Sequence, residues 1–127
     1  KTILRRFPEV PLVIDHFGRP SIADGPPYND ARDYFELAEF PNLYLKYTLS
    51  GLTSMLKGKA EAESFMAKVV SVFGADRIAW GSNFPSAPGS FGEIVADAMR
   101  VCADLSEADR SAIFATTAQR LYPVLRD

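Results

Sequence analysis

Four polar side chains interrupt otherwise apolar or turn-forming stretches of the sequence: His16, Arg19, Lys46 and Asn83. His16 lies near the end of the apolar run 11–17, Lys46 within the aromatic and apolar run 43–48, and Asn83 at the end of 77–83. An imidazole can polarise a carbonyl or bind a metal, an ammonium can hold an anionic group, and a carboxamide can bind substrate or water. Arg19 adds a guanidinium fork of the kind that takes a carboxylate. Each residue also has a plainer reading. A lone histidine at a strand end is commonly a hydrogen-bonded structural residue, and Lys46 on an edge strand would reach solvent. Asn83 before Phe84-Pro85 would organise a turn, and Arg19 would be a surface charge. Cys102, beside Val101 and Ala103 on a helical stretch, reads as packing.

For these side chains to act together, three strand ends must meet. Parallel α/β folds place their sites at the C-terminal edge of the sheet. The runs 11–17, 43–48 and 77–83 are short and apolar, as in strands buried on both faces. Gly51 ends the second run, and helical stretches separate the three. They are about 30–40, which Asn29 or Asp30 can cap, about 60–73 with Phe65, Met66, Val69, Val70 and Phe73 at helical spacing and closed by Gly74, and about 90–105 opened by a Ser90–Glu93 capping box. A further helix starts at Ser106, and residues 1–7 read as the last turns of a helix whose beginning is missing. Strands recurring roughly every thirty residues with helices between them predict about three parallel βα units. Alternation along the strands puts Leu12, Ile14 and His16 on one face, with Tyr44, Lys46 and Thr48, and Ala79, Gly81 and Asn83, as the matching sets. Asp15 is then expected to face the helical layer or to cap local backbone.

Composition narrows the function further. The chain has 127 residues, 47% hydrophobic and 24% charged, with a formal charge of -2, which excludes disorder and gives no electrostatic footprint for nucleic acid or an anionic membrane. One cysteine and one histidine exclude an internal disulfide and a self-contained poly-His or multi-thiolate metal site. A reducing, cytoplasmic location fits that cysteine usage. The glycine fingerprint of a dinucleotide site and the nucleophile elbow of a serine hydrolase are both absent.

In order, the segments Val13-Ile14-Asp15-His16-Phe17-Gly18-Arg19-Pro20, Asn42-Leu43-Tyr44-Leu45-Lys46, Arg77-Ile78-Ala79-Trp80-Gly81-Ser82-Asn83-Phe84-Pro85 and the helical ending 112–122 resemble the C-terminal half of the amidohydrolase-related branch of the amidohydrolase superfamily. That branch includes 2-pyrone-4,6-dicarboxylate lactonase and sugar-acid lactonases. The resemblance implies the C-terminal part of a (β/α)8 TIM barrel, about half of a fold that takes about 250 residues. It implies that His16 is an active-site histidine that binds metal or polarises the scissile carbonyl. It places Asn83 where the family usually has an aspartate that activates water, a task needing a carboxylate. Arg19 and Lys46 are expected to bind substrate.

The expected function is hydrolysis of a small organic or sugar-derived acid's lactone, ester or amide, with a divalent metal such as Zn as a possible cofactor. His16 alone does not supply the three protein ligands of a hydrolytic zinc. The partners expected are therefore a small-molecule substrate and either the N-terminal half of a barrel or a second copy of the chain. By itself the chain is expected to be inactive. The rival reading is a non-catalytic half-barrel that associates through its open edges.

Overall fold

The computed structural model describes residues 1–126. A short helix α1 (Thr2–Arg6) precedes β1 (Leu12–Ile14), and after a turn and long loop comes α2 (Arg32–Phe35), flanked by 3-10 turns. Next are β2 (Leu43–Tyr47), α3 (Leu49–Met55), α4 (Ala62–Phe73), β3 (Ile78–Trp80) and α5 (Phe91–Val101). The chain ends in α6 (Glu107–Ser111), a π turn (Ala112–Thr116) and α7 (Thr117–Leu121), followed by a 3-10 turn. The three strands pair in the order β1-β2-β3, all parallel. The predicted α/β class and parallel connectivity hold.

Helix boundaries follow local chemistry. Ser90 and Glu93 form both bonds of the predicted capping box. Ser106 caps α6 by accepting the Asp109 amide at 3.1 Å. Gly74 closes α4, its amide bonded to the Val70 carbonyl at 2.9 Å. One side of α4 is buried through Phe65, Met66, Val69 and Phe73, the apolar stripe its sequence predicts.

Register fixes the two sheet faces. Val13 pairs with Tyr44, and Lys46 with Ala79, so these four share one face. Leu43, Leu45, Tyr47 and Ile78 take the other face and are fully buried within the main core, which also holds the α4 residues, Ala98, Val101 and Ile113. The Tyr47 hydroxyl donates to the Ala98 carbonyl at 3.2 Å, and burial pushes its ionisation well above the usual phenol range.

The N-terminal ends of the strands are tied by side chains that collect loose carbonyls. Asn42 donates to the carbonyls of Phe7 at 3.0 Å and Val10 at 3.2 Å. Arg77 donates to those of Phe73, Ala38 and Phe40, at 2.6, 3.1 and 2.9 Å. Thr117 in α7 reaches the Ala75 carbonyl. These side-chain donors link separate stretches of backbone, and two of the carbonyls, those of Phe7 and Phe40, also accept the amides of Val10 and Leu43.

The structure differs from the sequence-based expectation in four places. β1 ends at Ile14, because the backbone turns left-handed at His16 and Phe17. Gly51 lies inside α3 rather than closing β2. α5 stops at Val101, and Arg110 crosses to bond the carbonyls of Ala103 and Leu105. Neither Asn29 nor Asp30 caps the segment around α2 through its side chain; Asp24 instead accepts the Asp30 amide at 3.2 Å. No helix among the described residues is long and apolar enough to cross a membrane.

Candidate active site at the strand ends

The turn after β1 is built around one aromatic side chain. Phe17 is fully buried, stacks on Tyr47 at 5.5 Å and meets the edge of Phe65 at 5.7 Å. Anchoring that ring forces the backbone through left-handed values at His16 (φ 54), Phe17 (φ 55) and Arg19 (φ 50). L-residues pay for that conformation, and such outliers gather at functional sites. The turn directs the His16 imidazole to the end of β2, where Nδ1 lies 2.5 Å from Thr48 Oγ1. Thr48 is fully buried and caps α3, its Oγ1 accepting the Gly51 amide at 3.1 Å.

Asn83 arrives from β3, also left-handed (φ 55). Its side-chain Nδ2 donates to Ser50 Oγ at 3.3 Å, and its backbone carbonyl accepts the Ala87 amide at 2.8 Å. The main chain of Asn83 thus closes its turn, while the carboxamide reaches the rim. His16 and Asn83 meet the same short stretch, Thr48 to Gly51, from the two flanking strands.

Lys46 lies on the face shared with Val13 and Ala79, and Gly81 leaves the room it needs. A Cβ on Gly81 would come within 2.8 Å of Lys46 Cε. The Lys46 ammonium is 3.1 Å from Asp15 Oδ1. This corrects the alternation argument. The β1 register puts Asp15 with Lys46 rather than toward the helices, and His16 reaches the rim through its turn rather than by strand alternation. Both side chains of the pair are partly exposed, so the bond contributes at most about 1 kcal/mol. Its effect is to hold the cation beside a cavity of about 370 Å³ lined also by Val13, Ala79, Trp80 and Tyr122.

Arg19 is not brought to that cavity. It lines a separate recess of about 260 Å³ with Ser21, Ser54 and Lys57. That recess presents two cations and no carboxylate, a setting for an anionic group. The structure thus brings His16 and Asn83 to the Thr48–Gly51 stretch, places Lys46 with Asp15 at the cavity on the sheet face, and sets Arg19 apart. Sequence reasoning assigned no site role to Thr48, Ser50 or Asp15. Thr48 is of a helix-capping type, but the helix it caps is not apparent in the sequence, and Ser50 and Asp15 carried no sign.

The fit of a metal can be judged from the donors. Among the described residues no three His, Cys, Asp or Glu side chains come together in a group that could hold a metal ion. Asp15 is engaged by Lys46. Cys102 is buried, and burial pushes its thiol up to about 11, so the nucleophilic thiolate is scarce near neutral pH. These residues by themselves do not fit a zinc ion.

Comparison with known proteins bears on the whole arrangement. The family model described as amidohydrolase matches residues 1–124. The chain belongs to the amidohydrolase family. L-fucono-1,5-lactonase of Burkholderia ambifaria is 36% identical over 94 residues, which is 70% of this chain and 32% of the lactonase. The chain thus spans about a third of that curated relative. An amidohydrolase from Burkholderia multivorans, solved with bound zinc, superimposes with a TM-score of 0.70 at 25% identity, covering 96% of this chain and 47% of that one. A putative 2-pyrone-4,6-dicarboxylic acid hydrolase from Pseudomonas putida gives a TM-score of 0.74 at 24% identity, over 99% of this chain and 48% of that one. The last likeness is one of fold. The three parallel βα units are accordingly part of an amidohydrolase (β/α)8 barrel, with His16, Lys46 and Asn83 at the strand ends where such barrels carry their chemistry.

Proposed function

We propose that this chain supplies one side of the active site of a lactonase acting on a small sugar-derived or organic acid. The observation that carries the reading is the meeting of His16 and Asn83 at the Thr48–Gly51 turn. It is supported by the family membership and by the fucono-lactonase relative.

In the proposed reaction water adds to the ring carbonyl carbon, a tetrahedral oxyanion forms, and the ring C–O bond breaks to give the hydroxy acid. His16 stabilises the developing oxyanion, and Lys46, held by Asp15, orients a polar or anionic substituent. Asn83 binds the attacking water or the substrate through its amide. It cannot take up the water proton, so the general base comes from outside this set of residues. Turnover then requires the remaining strands of a barrel, which are the partner proposed for this chain.

The test is a panel of sugar-acid lactones, with L-fucono-1,5-lactone first, offered to the chain alone and to the chain completed to a full barrel. Turnover is expected only from the completed barrel, and His16→Ala should lower its kcat by about 10²–10³, the usual cost of losing one oxyanion donor. Lactone turnover by the isolated chain, or a completed barrel inert to the whole panel, would overturn the reading.

A further inference from the structure

The hydrogen bond between His16 and Thr48 decides which ring nitrogen faces a ligand. Thr48 is fully buried, and a hydroxyl has one proton to give and two lone pairs to receive. One lone pair takes the Gly51 amide at 3.1 Å. Among the described residues the other polar partner of Thr48 Oγ1 is His16 Nδ1, at 2.5 Å. If Nδ1 carried the proton, two N–H groups would point at this oxygen and the buried hydroxyl proton would have no acceptor. Unspent buried donors are costly and rare. If Nδ1 is bare, every group is satisfied: Gly51 N–H donates to Thr48, and Thr48 O–H donates to His16.

The backbone enforces this arrangement from both sides. A Cβ on Gly51 would lie 2.6 Å from Thr48 Oγ1 and 2.7 Å from His16 Cβ, so this approach of helix to imidazole needs a residue without a side chain. The left-handed backbone at His16 and the buried Phe17 ring fix the turn from the other side.

We infer that Thr48 is a positioning residue that holds neutral His16 as the Nε2–H tautomer, so that the imidazole meets its ligand as a hydrogen-bond donor. A nitrogen that carries its proton has no lone pair for a cation, so His16 in this state is an electrophile rather than a metal ligand. That the acceptor is a lactone carbonyl rests on the function proposed above. The tautomer itself does not depend on that reading.

The experiment is a long-range proton–nitrogen NMR correlation on the protein above neutral pH. The His16 ring signals are identified by their loss in His16→Gln. The wild type is expected to show an unprotonated Nδ1 and a protonated Nε2. Thr48→Ser, which keeps the hydroxyl, should retain that pattern, and Thr48→Val should relax to an average of both tautomers. In the completed barrel, kcat should fall in Thr48→Val and recover in Thr48→Ser. A protonated Nδ1 in the wild type would overturn the inference, as would a Thr48→Val spectrum identical to that of the wild type. Should Thr48→Val fail to fold, the wild-type and Thr48→Ser spectra still decide. Because the spectrum is read without substrate, a correct tautomer in a protein inert to lactones would sink the function and leave this inference standing.

Discussion

The two ends of the sheet are built on opposite principles. At the N-terminal ends of the strands, Asn42, Arg77 and Thr117 spend their side chains on backbone carbonyls, and the chain there is tied down. Beyond the C-terminal ends lie the left-handed non-glycine residues His16, Phe17, Arg19, Tyr28 and Asn83. Side chains at that end bond chiefly to one another: His16 to Thr48, Asn83 to Ser50, Lys46 to Asp15. Stability is concentrated at one end, and strain with reactive groups at the other. The division lets the reactive end keep an unfavourable backbone because the opposite end over-determines where the strands lie.

Substitutions can break or sharpen this contrast. The largest effect is expected at the tied end. Arg77→Ala removes three guanidinium hydrogen bonds to backbone carbonyls at once and should cost about 3 kcal/mol, given the usual strength of hydrogen bonds to charged donors. A shifted urea midpoint at constant m would record it. A loss below about 1 kcal/mol would mean that these bonds do not hold the sheet. At the strained end the sign should reverse. Arg19→Gly relieves a left-handed residue worth about 1–2 kcal/mol, less the extra entropy of glycine of about 0.5–1 kcal/mol. A net gain of about half a kcal/mol in thermal unfolding is expected, and a loss would show that the turn is not strained. The smallest effect concerns the capping box at the start of α5. The bonds from Ser90 hold the Glu93 carboxyl below its ordinary value of 4.5. A lowered carboxyl contributes stability that is present above 4.5 and is lost as pH falls through the lowered value. Acid titration followed by circular dichroism should show a small loss of helix in that window. Glu93→Gln should lack that step, and an unchanged titration would remove Glu93 as its cause.

Those features that are local in sequence were legible in advance. The Ser90–Glu93 box, the Ser106 cap, the α4 stripe and Gly74 each depend on residues within one or two turns of helix. So did the parallel βα alternation, which follows from the spacing of apolar runs. The site was legible in its cast and less so in its contacts. His16, Lys46 and Asn83 could be chosen because polar residues at the ends of apolar strands are conspicuous. Alternation misplaced Asp15, because a two-residue period holds only relative to a neighbouring strand's register, and that register is a long-range fact. The turn at His16 was hidden for a related reason. It arises from the burial of Phe17 against Tyr47 and Phe65, distant partners that no window around residue 17 contains. α3 escaped notice because its residues 49–55 are short and glycine-containing, and tertiary contact outweighs propensity there.

The side-by-side order of the three strands also bears on how the molecule is assembled in time. Leu12 meets Leu43, and Leu45 meets Ile78, so each ladder closes a loop of roughly thirty residues before its first bond forms. Among the described residues no hairpin is available to nucleate the sheet. Compaction of the intervening helical segments, above all the aromatic cluster joining Phe17, Tyr28, Phe35 and Phe65, shortens those loops and sets the pace at which the sheet can zip.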